Sequence, residues 1–141
     1  MAQIVFLTGV QDRIALAQRL VRKKVHAGGR VCVLGATPDL RRLSAALWTE
    51  PQLDFLPHVH TRVPPAPLVQ ELTPVWLIEQ AVEGLACDSV INLGVDLVDW
   101  TGRFERVAEI VGLDDEDQRA GRQRWKAYER AGHALVHHAG G

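Results

Sequence analysis

The residues best equipped for chemistry lie near the end of the sequence, where an acidic run, Asp114 to Asp117, gives way to a basic one, Arg119 to Arg130, that also holds Trp125. Guanidinium groups grip carboxylates in a planar fork, and a large aromatic ring beside them adds apolar contact area. Arg119, Arg122, Trp125 and Lys126 therefore have the makeup of a protein-binding hot spot. Turnover has less support. No Ser, Cys or Asp nucleophile sits in a recognisable elbow, and neighbouring residues do not supply a nucleophile, a base and an orienting group. Leu34-Gly35-Ala36-Thr37-Pro38 has the setting of a phosphate-binding turn but lacks the further glycines of G-x-G-x-x-G and the Lys-Ser/Thr of a P-loop. Without such a loop, the carboxylates of Asp114 to Asp117 read as helix-start charges rather than a magnesium site. His58 and His60 would share one side of a strand and could hold zinc, but flanking prolines predict a loop and no third ligand is adjacent. His137-His138 falls in a tail, about residues 133–141, that is expected to be mobile.

These side chains need elements to position them. Gln3 to Thr8 reads as a strand ending at Gly9, and Ile14, Ala17, Leu20, Val21 and Val25 recur at helical spacing until Gly28-Gly29 closes the helix. Arg30 to Leu34 resumes as a buried strand. Thr37-Pro38-Asp39 caps a second helix, from about Pro38 to Glu50, that turns Leu40, Leu43 and Leu47 inward. A proline-rich connection covers about residues 51–74. Val75 to Ile78, Ser89 to Leu93 and Arg106 to Val111 are further strand-compatible runs, with a helix expected from about Glu79 to Ala86 and a turn or short helix near Val95 to Phe104. Alternating strands and helices predict a single-domain, Rossmann-like α/β fold over residues 1–141: a mostly parallel sheet of about five strands with helices on both faces.

The last helix should run from Asp114 or Asp115 to about Gly132, its charge order matching the helix dipole. At 100° per residue, Ala120, Ala127 and Ala131 share one face, and Arg122, Trp125 and Glu129 share the opposite one. If the alanines pack on the sheet, Trp125 faces outward among arginines, as a binding hot spot would. With the helix rotated instead, Trp125 joins the core.

The net charge of −1 gives no global field for phosphate backbones, so any link to nucleic acid is expected to be indirect. No apolar run is long enough to span a bilayer, and Met1 to Thr8 lacks the pattern of a secretory signal, which predicts a cytoplasmic protein. Cys32 and Cys87 are the only cysteines and are expected to be reduced structural thiols.

The run Arg122 to Gly132 (RQRWKAYERAG), together with Ala46-Leu47-Trp48 and Phe55-Leu56-Pro57-His58, resembles the chi subunit of bacterial DNA polymerase III over most of the chain. The resemblance implies a non-catalytic accessory subunit of the clamp loader, without a cofactor or metal, that binds two partners. One is the psi subunit, through an aromatic pair matched here by Trp48 and Phe55. The other is the acidic C-terminal tail of single-stranded DNA-binding protein, which ends in a phenylalanine carboxylate. The tail site is matched by Val111, Arg122 and Trp125, with Arg119 and Lys126 as nearby charge. The family usually has tyrosine at Trp125 and a basic residue at Gln118. Two other readings remain at this point. One is a small nucleotide- or S-adenosylmethionine-binding enzyme with its ligand near Gly35 and Gly94. The other gives the Trp48 and Phe55 surface to a repair helicase.

Overall fold

The computed structural model describes residues 3–49, 58–61, 75–79, 87, 89–95 and 104–139. Seven strands form one sheet: β1 (Gln3–Val10), β2 (Val31–Leu34), β3 (His58–Thr61), β4 (Val75–Ile78), β5 (Ser89–Asn92), β6 (Arg106–Gly112) and β7 (Ala134–Ala139). The described helices are α1 (Arg13–His26), α2 (Thr37–Thr49) and α3 (Asp115–Arg130). The sheet order is β3-β4-β2-β5-β6-β1-β7, and every pairing is parallel. This is the Rossmann-like α/β class expected from the sequence, with all five expected strands present.

Two strands were not expected. The segment His58 to Thr61, read as a loop because prolines flank it, pairs with β4 at one edge of the sheet. The supposedly mobile tail contributes β7, which pairs with β1 at the other edge over Gln3↔Ala134 to Thr8↔Ala139. Its pattern is largely exposed, as suits an edge strand, and so it carries no apolar alternation that a sequence reading could detect. The expected helix over 79–86, the turn near 95–104 and most of the 51–74 connection lie outside the described residues.

The central strands β2, β4 and β5 are four-residue runs buried on both faces, and their alternate side chains feed two cores. Val31, Val33, Leu77 and Ile91 meet Leu16, Ala17 and Val21 of α1 and Leu40, Leu43 and Leu47 of α2 on one face. Cys32, Leu34, Ile78 and Val90 join Ile4, Phe6, Val111 and Tyr128 of α3 on the other. Cys32 and Cys87 are not free thiols. Their sulphurs are bonded at 2.26 Å, because the chain entering β5 passes beside β2 with the two Cα atoms 6.2 Å apart. A separation of 55 residues gives the sequence no hint of that approach.

Candidate functional site

The α3 register differs from both simple expectations. Gly121, Arg124 and Tyr128 form the buried face, whereas Ala131 is exposed and Ala120 and Ala127 are only half-buried. At 100° per residue, the helix is turned by about 70° from an alanine-inward arrangement. Trp125 lands at the boundary. It is half-buried, packs on the second core and meets the Phe6 ring edge-on at a centroid distance of 5.1 Å.

Two features make this register possible. At Gly121 an added Cβ would stand 2.9 Å from Val111 Cγ2, so only glycine lets α3 come this close to β6. Arg124 can be buried because β6 carries a carboxylate on the same face. Arg124 Nε donates to Glu109 Oε1 at 2.9 Å, while Tyr128 Oη at 2.5 Å and Asn92 Nδ2 at 2.8 Å donate to Glu109 Oε2. Glu109 is 0 % exposed, and its burial pushes the carboxyl above the usual carboxylate range against the opposing pull of Arg124 and the hydrogen bonds from Tyr128 and Asn92. Asn92, its cross-strand neighbour on β5, also accepts hydrogen bonds from the Gly94 and Val95 amides.

Beside this network lies a cleft of about 430 Å³. Phe6, Val111, Gly121 and Trp125 give it apolar walls, and Thr8, Gln118, Arg122 and His137 bring polar groups. Gly9 has a φ of 66°, and the β1–β6 register shifts between Leu7 and Val10, so β1 bulges where Thr8 and Gly9 line the cleft. From β7, His137 Nε2 lies 2.6 Å from Thr8 Oγ1, and its ring meets Trp125 at 6.3 Å. Gln118 receives the Arg122 guanidinium at 3.5 Å and donates to the Leu113 carbonyl, tying the exposed arginine to its own helix.

Of the expected tail-site residues, Val111, Arg122 and Trp125 come together here, while Arg119 and Lys126 are exposed on α3 without lining the cleft. Trp48 lies in α2, but its side chain, like all of Phe55, falls outside the described residues. The sequence reading overlooked Phe6, Thr8, Gly9, Gly121 and His137, which β1, β7 and the true α3 register bring in. It also overlooked Glu109, whose signal was available as a lone carboxylate in an apolar strand.

Elsewhere, at the turn near Gly35 and Gly94, the Thr37 hydroxyl donates to the Glu79 carboxylate at the start of α2. Leu93 closes over Gly35, where an added Cβ would stand 3.2 Å from Leu93 Cβ. Among the described residues, no group of three His, Cys, Asp or Glu is placed to hold a metal, and no helix is long and apolar enough to cross a membrane.

Fold and site define a doubly wound α/β domain with an aromatic, arginine-rimmed cleft between its last helix and its sheet edge. The chain belongs to the family of the DNA polymerase III chi subunit, HolC, whose sequence profile matches residues 1–136. The family is described as a subunit of DNA polymerase III. No curated protein matches the chain in sequence. Among solved structures, it is similar to "Mss116p DEAD-box helicase domain 2 bound to an RNA duplex", with a TM-score of 0.66 at 10 % identity. The match covers 100 % of this chain and 65 % of the helicase chain, and at that identity the likeness is one of fold.

Proposed function

We propose that this protein is a non-catalytic, cytoplasmic adaptor that receives the C-terminal tail of single-stranded DNA-binding protein in the α3 cleft. It joins the clamp loader through psi, at a surface that includes Trp48 and Phe55. The observation supporting the tail site is that Val111, Arg122 and Trp125, contributed by a strand end and a helix, line one cleft with Phe6. A peptide ending in phenylalanine needs an apolar slot for its ring and a guanidinium for its terminal carboxylate, and Arg122 stands at the edge of such a slot. Arg119 and Lys126 offer looser charge to the preceding aspartates. With Gln118 where a basic residue is usual, the described residues lining the cleft include one arginine and no lysine.

Fluorescence anisotropy of a labelled tail peptide tests the site. Wild-type protein should bind and lose affinity as salt rises, and Arg122→Ala should weaken binding by about 1.5–3 kcal/mol, the range for a charge-assisted contact. Binding unchanged by the substitution would remove Arg122 from the site. For psi, the Trp48→Ala, Phe55→Ala double variant should fail to co-purify with a co-expressed psi homologue, and wild-type-like co-purification would free that surface of the role.

A further inference from the structure

The edge of a sheet can still accept another chain, because one side of its backbone has no neighbour, and proteins blunt such edges with short strands, prolines and charges. The two edges of this sheet differ. β3 is four residues long and follows Pro57 directly. β7 is six residues long, Ala134–Ala139, largely exposed, and contains no proline and no Asp, Glu, Lys or Arg. It pairs with β1 from Gln3↔Ala134 to Thr8↔Ala139 without a register shift, and among the described residues β1 is its only strand neighbour. Its outer backbone edge is thus regular and open.

This edge borders the α3 cleft. Successive β7 side chains alternate between the two faces of the sheet. Leu135 packs on the second core beside α3, and two residues on, His137 lines the cleft with its ring against Trp125. A chain leaving the cleft past His137 therefore meets the free edge of β7.

We infer that the tail peptide lies beside β7 as a further strand, parallel to it, with its terminal phenylalanine in the cleft. This rests on the tail-site reading proposed above. The direction follows from where the cleft lies: Thr8, Gly9 and Val111 belong to the C-terminal ends of β1 and β6, so the last residue of the peptide stands near the C-terminal end of β7. The aspartates before it then run back toward Ala134. Main-chain hydrogen bonds, the mode of strand addition to a sheet edge, hold those residues without a basic partner for each. That suits a cleft whose described lining includes Arg122 and no lysine, and an edge strand without a carboxylate to repel aspartates. A second copy of this chain is the competing occupant. Val136 is the one large exposed hydrophobic residue that β7 brings, too little for an interface of roughly 800 Å² per partner with an apolar centre.

The test is residue-resolved amide hydrogen exchange of the full-length protein by NMR, with and without saturating tail peptide. In a parallel ladder, alternate residues turn both N–H and C=O to the same side. Every second amide of β7 should therefore exchange fast in the free protein and slow by about tenfold or more on binding, while the amides bonded to β1 change less. In a companion titration, peptides N-methylated at either of two adjacent residues before the phenylalanine should differ about fivefold in affinity, since only one of them loses a bond to β7. Peptide that binds with β7 exchange unchanged, or equal affinity of the two methylated peptides, would overturn strand addition and leave the cleft assignment standing. Absence of binding would remove both. Outward amides protected in the free protein, increasingly so at higher protein concentration, would give the edge to a second copy and overturn the proposal.

Discussion

Gly121 sets how near α3 stands to β6, and through that distance the depth of the cleft. Alanine is the better helix former by about 1 kcal/mol. Its Cβ, however, would lie 2.9 and 3.3 Å from the two Val111 methyls, and overpacking of that kind costs about 1–3 kcal/mol. Gly121→Ala should therefore be destabilising by about 1 kcal/mol in urea denaturation and should weaken tail-peptide binding, because Gly121 and Val111 both line the cleft. A variant that is stabilised and binds normally would show that the close approach is not needed. Individual residues were only partly legible. Arg122 and Trp125 announce themselves by type, whereas Gly121 looks like a weak point in a helix until its neighbour on β6 is known. Phe6 reads as ordinary core and His137 as tail, and only the pairing of β1 with β7 carries both to one wall.

Between elements, the Glu109 network fixes the rotation of α3. A stripe of alanines suggested an inward face, but a buried arginine with an ionic partner and two further donors on that partner outweighs small-residue packing. Glu109→Gln would leave the Arg124 guanidinium buried without its counter-charge, which costs about 3–5 kcal/mol when one member of such a pair is removed. Replacing both, as in the Glu109→Gln, Arg124→Met double variant, should recover much of the loss. Full loss retained in the double variant would contradict this reading. Protonation has a definite sign. Burial raises the folded-state value of Glu109 above its ordinary 4.5, so the folded protein holds this proton more tightly than the unfolded chain. The resulting stability is present below that ordinary value and fades as pH rises through the folded one. The wild-type advantage over Glu109→Gln should accordingly be larger at pH 5 than at pH 8, and a growing advantage with rising pH would reverse the assignment. Element identity was the most legible level, since apolar runs and capping residues located five strands and three helices. Rotation was not, because it depends on a carboxylate in another element.

For the whole molecule, topology decided what periodicity could not. The edge strands β3 and β7 lack the apolar patterns of the central strands, and the approach of Cys87 to Cys32 arises only once β5 lies beside β2. The bond is buried, with Cys32 0 % and Cys87 8 % exposed, and so is shielded from solution reductants. Closing a loop of 55 residues is worth about 4 kcal/mol in the chain-entropy account. Reduction should lower stability by that order, and protein unfolded without reductant should take up no thiol label, whereas labelling of both cysteines would show them free. Above these details stands the claim that the cleft between α3, β1, β6 and β7 is where this chi-family protein receives its ligand. The direct measurement is calorimetric titration of wild-type protein and of the Arg122→Ala, Trp125→Ala double variant with the single-stranded DNA-binding-protein tail peptide and with the same peptide lacking its terminal phenylalanine. The account predicts binding only for the wild type with the complete peptide. Undiminished binding by the double variant, or equal binding of the shortened peptide, would contradict it.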